Sequence, residues 1–351
     1  MKVSDLAKNG GEWLRGVGPE SDIVISSRVR LARNLSGFPF LSKASAEQRA
    51  DITELLRDRI PAARISADVL FFDLTECPDI DRQLLVERHL ISKHHAEADG
   101  SRSVCINPSE TLSIMINEED HLRMQVLRSG LQLDESWEEI NRIDDLLEQR
   151  LDYAFSPKFG YLTACPTNVG TGIRVSVMVH LPALKLTGEM ERVLRTARDM
   201  KLAIRGLYGE GTEATGDFYQ VSNQLTLGKS EREIIGNFKN VVIPRIIEYE
   251  KAARHTLLTQ REAALDDKIF RALGTLRHAR QISSEETLFL LSAVRLGVNL
   301  GRITEVDIRT VNELFVLSQP AHLQALHGDR LTGEERSIVR ANFIRSRLNG
   351  H

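Results

Sequence analysis

The sequence predicts an α+β fold, an antiparallel β-sheet flanked by helices, followed by an all-α C-terminal region. Three observations carry this. β-Rich runs at 103–107, 112–117 and 121–128 are joined by short polar connectors at 108–110 and 118–120. Connectors that short exclude a parallel crossover and require antiparallel pairing. From Ser230 onward only helical apolar periods remain. Finally, 351 residues suit about two domains. The divisions are a loose, Gly-rich lead-in over 1–20, an α+β domain over 21–250 and a helical domain over 251–351.

Taken in order, 21–33 (SDIVISSRVRLAR) places an apolar patch before Arg28, Arg30 and Arg33. Residues two apart on an extended chain point the same way, so Arg28 and Arg30 share a side. The period at 44–60 predicts a helix, 68–74 a strand and 81–96 a helix carrying His89. After the meander come a long amphipathic helix at 135–154 and strands near 161–164 and 175–179. A helix at 189–201 and strands near 203–208 and 218–223 complete the domain. The helical periods beyond are 231–253, 259–279, 284–296, 304–314, 321–326 and 334–348. Gly297 reads as a helix stop. Thr332-Gly333-Glu334-Glu335 reads as a capping box.

Composition narrows the function classes. The formal net charge is −3, with 42% hydrophobic and 27% charged residues. That balance argues against nucleic-acid and membrane-surface binding and excludes a disordered chain. No apolar run approaches the roughly 20 residues that span a bilayer. The first residues lack a signal-peptide core. Cys77, Cys105 and Cys165 are widely spaced and form neither a disulfide framework nor a zinc ribbon, which points to the reducing cytoplasm. No metal-ligand motif is present. Arginine outnumbers lysine 35 to 11. Arginine is the residue of bidentate phosphate and carboxylate recognition.

Several motifs are excluded. Leu227-Gly228-Lys229-Ser230 ends like a P-loop, but Asn223 stands where the first glycine belongs. Gly209-Glu210-Gly211 fails as a dinucleotide fingerprint at Ala214. Protein-kinase, HExxH and GxSxG signatures are lacking. Three segments remain. Residues 117–123 (NEEDHLR) pack three carboxylates, a histidine and an arginine into a strand–turn–strand. Residues 165–174 (CPTNVGTGIR) join a cysteine to a two-glycine loop whose backbone can approach an anion, then to Arg174. Residues 205–213 (RGLYGEGTE) offer Arg205 and a glycine-flanked Glu210.

These blocks, with SSRVR at 26–30, resemble the phosphagen kinases (ATP:guanidino phosphotransferases) in content and order. The helical domain that precedes SSRVR in creatine and arginine kinases is not found ahead of Ser26, and a helical region follows instead. That arrangement, with VMVHLPAL at 177–184, is similar to the bacterial protein-arginine kinase (McsB) family. The resemblance implies ATP, with Mg²⁺ held through its phosphates, and protein substrates presenting arginine. It implies Glu119, Glu210 and Cys165 as catalytic. It assigns the nucleotide to Ser27, Arg28, Arg30, His89, Arg123, Arg174, Val175, Ser176 and Arg205, and to Gly206, Leu207, Tyr208, Gly209 and Glu210. It implies a mark read by an AAA+ unfoldase–protease, a zinc-binding activator protein and a homodimer.

The family's phosphoarginine-sensing pocket corresponds to Arg336, Ser337, Arg340 and Ala341. Serine there replaces the family's aspartate, so the pocket reads as degenerate. Two alternatives stay open: a kinase of free arginine or another small guanidino compound, and a non-catalytic adaptor.

Overall fold

A computed structural model describes residues 2–8, 10–206, 215–328 and 330–349. The elements are β1 (Val24–Arg33), α1 (Ala46–Ala62), β2 (Leu70–Asp73), α2 (Asp79–Glu87), α3 (Lys93–Glu97), β3 (Ser103–Ile106), β4 (Leu112–Ile116) and β5 (Leu122–Ser129). There follow α4 (Leu133–Glu148), β6 (Phe155–Ser156), β7 (Gly160–Tyr161), β8 (Ile173–His180), α5 (Pro182–Thr187), α6 (Met190–Asp199), β9 (Leu202–Arg205) and β10 (Phe218–Asn223). The rest is helical: α7 (Glu231–Asn237), α8 (Ile243–Gln260), α9 (Glu262–His278), α10 (Ser284–Asn299), α11 (Ile308–Leu317), α12 (Pro320–His327) and α13 (Gly333–Asn349).

Eight strands form one sheet in the order β2-β3-β4-β5-β1-β8-β10-β9, with every neighbouring pair antiparallel. The meander of β3, β4 and β5 is as the short connectors require. Strand alternation divides the sheet into two unlike faces. Val29, Leu31, Met124, Val126, Val175 and Val177 point to one side and are buried. α4 packs there, and its Asp144 meets Arg33 in a buried ion pair at 2.6 Å. The opposite side carries Arg28, Arg30, Arg123 and Arg174, whose register places them shoulder to shoulder.

The lead-in is packed rather than loose. Short 3₁₀ turns at Val3–Lys8 and Glu12–Leu14 bury Val3, Leu6, Ala7, Trp13 and Leu14 against the sheet and α2. One or two 3₁₀ turns are too short to show a repeating apolar period, so the pattern did not reveal them. The helix expected over 81–96 is two helices. It breaks at Arg88–Ser92, where His89 adopts φ 59°. The helix expected over 135–154 ends at Glu148, and Phe155–Ser156 begins a small hairpin.

α10 runs past Gly297 to Asn299. The glycine serves packing, since a Cβ there would lie 2.5 Å from Ile269 Cγ2. α11 starts four residues later than the period suggests, because Asp307 caps it by accepting from Thr310 N–H. The capping box at Thr332 and Glu335 is formed. α7 continues through a π-helical turn (Phe238–Val242) into α8, so the backbone is helical through residue 250.

The C-terminal helices share one core with the sheet, extending from Trp13 to Leu348. A buried polar joint adds specificity. Arg88, 1% exposed, makes a two-pronged ion pair with Glu110 at 2.5 and 2.8 Å. Its third arm donates to His322 Nε2, 3.1 Å away on α12. Because arginine can only donate, His322 keeps its proton on Nδ1 and gives it to Glu87 at 2.7 Å. Glu87 also accepts the first free N–H groups of α12, from Ala321 and His322. Removing one partner of a buried pair strands the other charge, which costs about 3–5 kcal/mol. Glu110→Ala is therefore expected to lower the unfolding free energy by about that amount in urea titrations.

Candidate active site

The site is a trough on the polar face of the sheet. Paired residues fix its rows. Arg123 lies opposite Ala32, Arg30 lies opposite Arg174 and Gln125, and Arg28 lies opposite Ser176 and Leu127. Arg205 on β9 lies opposite Gln220, which lies opposite Met178, so Arg205 reaches the same face. Five arginines thus converge from four strands.

Their tethers differ. Arg28 Nη2 donates to Gln220 Oε1 at 2.7 Å, and its Nε donates to Ser176 Oγ at 3.3 Å. Arg123 pairs with Glu118 at 2.7 Å. Arg174 donates to Asn223 O at 3.0 Å and to Asn168 Oδ1 at 3.2 Å. Arg30 Nε is buried with no acceptor. Burial, and then the neighbouring guanidiniums Arg123 and Arg174, push Arg28 down to about 10. Burial, Arg28 and the same two neighbours push Arg30 well below its usual range. Both guanidiniums are thus buried, and like charges crowd them. An anion with several oxygens would relieve that crowding, and the residues fit a polyphosphate.

At the Arg123 end stands the acidic turn between β4 and β5, and every side chain but one is tied down. Asn117 Nδ2 reaches Arg49 O, Thr53 Oγ1 and Ser101 O. Glu118 accepts from Ser92 Oγ at 2.5 Å as well as from Arg123. Burial opposes its charge, yet Arg123 and Ser92 hold its carboxyl down at about 2. Asp120 accepts from Asn34 Nδ2 and from Ala164 N, each at 2.6 Å. His121 Nδ1 accepts from Leu35 N, which leaves Nε2–H to donate to Pro39 O. Glu119 alone is exposed. Burial of part of the carboxyl, then Asp120 and Glu118, raise its pKa.

Asp120 also sets the second loop. By gripping Ala164 N–H it fixes the residue before Cys165, whose half-exposed Sγ lies 3.0 Å from Thr167 Oγ1. Thr226 Oγ1 lies against Thr167 O and Val169 O beneath the same loop. His89 sits at the far end of the trough on the α2–α3 turn, not on a helix. Burial, and then Arg28, push it down to about 3, so it is neutral.

Two of the fourteen residues assigned to the nucleotide face away. Ser27 is buried on the reverse side, donating to Gly130 O at 2.8 Å and accepting from Gln132 N at 3.0 Å. Val175 lies opposite Val29 in the apolar layer. Strand alternation excludes both side chains, because an unbroken stretch of strand shows only every second residue to a ligand. Gly206 is buried at the end of β9. Leu207, Tyr208, Gly209 and Glu210 lie outside the described residues. Gln220, Asn223, Met178 and Trp13 were not singled out from the sequence. Gln220 and Met178 share the arginines' side of their strands, and that periodicity was the available signal.

Farther away, Arg336 and Arg340 stand on α13, four residues apart. Arg340 is buried and holds Ser318 O and Ile282 O, at 2.8 and 3.0 Å. Arg336 donates to Leu331 O, and Ser337 Oγ turns back to Gly333 O. Ala341 is buried beside them. Among the described residues no group of three or more His, Cys, Asp or Glu side chains could hold a metal ion, and no helix is long and apolar enough to cross a membrane.

Comparison with known proteins places this geometry. A family model for the ATP:guanido phosphotransferase C-terminal catalytic domain matches residues 51–253. The duplicated taurocyamine kinase of Schistosoma mansoni superimposes with TM-score 0.60 at 26% identity, over 70% of this chain and 35% of that one. A lombricine kinase gives 0.58 at 25%, over 71% and 75%. The fold is that of a guanido phosphotransferase. The second family model, for the protein-arginine kinase McsB C-terminal domain, matches residues 262–351. A protein-arginine kinase of Halothermothrix orenii is 50% identical over 350 residues, 99% of this chain and 100% of that protein. Its counterpart in Symbiobacterium thermophilum is 48% identical over 347 residues, 98% of each. The chain belongs to the protein-arginine kinase (McsB) family and is an ATP-dependent phosphotransferase.

The Glu118–Arg123 clamp has a pH signature. Its folded pKa of about 2 lies below the ordinary 4.5. The unfolded chain therefore takes up the proton first as pH falls. The stabilisation, about 3 kcal/mol, is complete above pH ~5 and is lost between about 4.5 and 2. Glu118→Gln should flatten the acid limb of the stability curve in that window, as read by chemical denaturation at stepped pH.

Proposed function

We propose that the chain transfers the γ-phosphoryl group of ATP to the guanidinium of arginine side chains in proteins. One observation carries the reading: a face of five arginines ends at an acidic turn in which only Glu119 is free to meet a substrate. The arginines bind and orient the triphosphate, with Arg123 toward the transferred group and Arg28 toward the nucleoside. Fixed guanidiniums neutralise the charge that develops on the phosphoryl oxygens, and positioning does most of the catalytic work in such transfers. Mg²⁺ would ride on the phosphate oxygens and add positive charge there.

A guanidinium has a pKa above 12 and is a poor nucleophile until a proton is drawn from it. Glu119 lies where it can hold the planar fork and accept that proton, and its raised basicity suits the task. As the N–P bond forms, the bond from the γ-phosphorus to the bridging oxygen breaks, and ADP leaves. Cys165, held beside the turn through Asp120 and Ala164, is placed to line the guanidinium site. Glu210 is assigned by the resemblance as the second carboxylate. The exposure of Glu119 supports a substrate presented on a protein surface.

The family resemblance supports three further roles. The product would mark proteins for an AAA+ unfoldase–protease. A zinc-binding activator would stimulate the enzyme. Two copies would pair through the helical region, where Phe270 and Phe289 are exposed. Arg336, Ser337, Arg340 and Ala341 would form a weakened phosphoarginine pocket. Arg340 is committed to backbone carbonyls there, and Ser337 offers no negative charge to a guanidinium.

The test supplies Mg·ATP, a protein substrate and free arginine together, then maps acid-labile phosphoarginine by mass spectrometry. Phosphorylation of the protein is expected, and modification of free arginine alone would overturn the reading. Glu119→Gln is expected to fold normally and to lose about 10²–10⁴-fold in kcat. A rate within a few-fold of the unaltered enzyme would remove Glu119 from the mechanism.

A further inference from the structure

Glu118 spaces the two groups between which the phosphoryl would pass, and a residue outside every motif block holds Glu118. Its Oε2 takes two donors, Arg123 Nη1 at 2.7 Å and the backbone N–H of Glu119 at 2.9 Å. One oxygen thus joins the arginine assigned to the transferred group to the residue that would take the proton. The other oxygen, Oε1, accepts from Ser92 Oγ at 2.5 Å. His94 Nδ1 stands 4.0 Å from Oε1, but its side chain is 69% exposed, whereas that of Glu118 is 3% exposed. Ser92 is therefore the close, shielded contact of Oε1.

The Ser92 hydroxyl has one proton and one direction to send it. Ser92 caps α3, so Oγ accepts from His95 N–H at 3.0 Å and donates to Glu118. The turn that carries it is fastened to the two strands that flank the acidic turn. Ser113 Oγ on β4 donates to Leu90 O at 2.5 Å, and Gln125 Nε2 on β5 donates to His89 O at 2.7 Å. Leu90 and Ile91 are buried. Ser92 and Glu118 are thus referred to the same pair of strands.

The tether matters because Arg123 has other suitors. Glu119 and Asp120 attract it as well as Glu118. A glutamate carboxylate held through one oxygen turns easily about its last bond, a broad two-fold torsion. With Oε1 released, Oε2 is free to leave the Glu119 N–H, and Arg123 is free to swing to the Glu119 carboxylate. That ion pair would occupy the proton acceptor and withdraw a phosphate ligand at once.

We propose that Ser92 is a positioning residue for phosphoryl transfer: by holding Glu118 Oε1 it keeps Arg123 and Glu119 on the two sides of the N–P bond that forms. The inference rests on the roles given above to Glu119 and Arg123.

Three full-length variants separate positioning from capping. Ser92→Ala removes the cap and the contact with Glu118 together. Ser92→Asp keeps a good cap but sets a carboxylate against Glu118. Ser92→Thr keeps both, and its β-branch suits the extended backbone there. With Mg·ATP and a protein substrate, Ser92→Ala and Ser92→Asp should each lower kcat about 10- to 100-fold, the range for one hydrogen bond to a charged group. KM for ATP should stay within about three-fold, because Arg28, Arg30, Arg174 and Arg205 still hold the phosphates in the ground state. Ser92→Thr should recover most of the rate. A second readout needs no turnover and also serves if Ser92→Asp fails to fold. In Ser92→Ala the charged form of Glu118 has lost a donor, so the acid loss of stability, spread from about 4.5 to about 2 in the unaltered chain, should stop short at its lower edge. Loss of a cap alone leaves that window where it is. An unaltered kcat in Ser92→Asp, or an unmoved acid window in Ser92→Ala, would reduce Ser92 to a cap and overturn the proposal. Glu119→Gln is run in the same assay. If it loses kcat while Ser92→Ala keeps its rate, the Ser92 inference falls alone. If Glu119→Gln keeps its rate, the roles assigned at the acidic turn fall and take Ser92 with them.

Discussion

Charge crowding on one face of the sheet is the constraint around which the molecule is arranged. Like charges in a partly desolvated trough repel strongly, and arginine cannot escape by losing its proton. The protein answers with partial neutralisation only. Glu118 is spent on Arg123, and Gln220, Ser176, Asn168 and Asn223 O supply neutral acceptors to the others. Arg30 keeps a buried N–H without an acceptor. A fully satisfied array would be more stable and would hold a polyphosphate less well. The surplus is affordable because the reverse face is a dense aliphatic layer closed by α4 and the Arg33–Asp144 pair.

The same economy of position governs the acidic turn. Four of its polar side chains reach in four directions, to α1, to the Ser92 cap of α3, to the loop before Cys165 and to the segment after β1. A turn held from four sides cannot drift relative to the arginines, and it leaves a single carboxylate free. Asp120 matters most here, because one carboxylate joins the acidic turn to the cysteine loop through Asn34 and Ala164. The two loops are therefore held as one body, which is what near-attack geometry would require of a site built from both.

How far this was legible from sequence depends on range. The antiparallel meander, the shared side of Arg28 and Arg30, and the capping box at Thr332 follow from residues a few positions apart. The motif blocks with their order were enough to bring Arg28, Arg30, Arg123, Arg174, Ser176 and Arg205 to one face. The failures are equally physical. Ser27 and Val175 sit inside matching blocks, yet a strand turns them to the other side. His89 was placed on a helix because the break at Arg88 is stabilised by Glu110 and His322, which are remote in sequence. Trp13 lies in a segment without period, and its neighbours come from β5, β8 and the α2–α3 turn.

Those remote partners give the C-terminal helices a part in the site that no single motif carries. α12 touches the His89 end of the trough through Glu87 and Arg88, the residues immediately before His89. α10 touches the opposite flank. Arg295 donates to His180 Nδ1, so His180 passes its Nε2 proton to Ser292, and Ser292 donates to Asp217 at the start of β10. Asp217 holds φ 60° directly ahead of the strand that bears Gln220, the partner of Arg28. Both ends of the arginine face are thus set by buried polar chains ending in the helical region. A chain of neutral histidines and fixed tautomers tolerates no sliding, because each donor has one acceptor to meet. Displacing α10 would take Arg295 from Ser21 O, Asp22 O and His180, and displacing α12 would take His322 from Arg88 and Glu87, so the helical region and the trough hold their geometry together or lose it together.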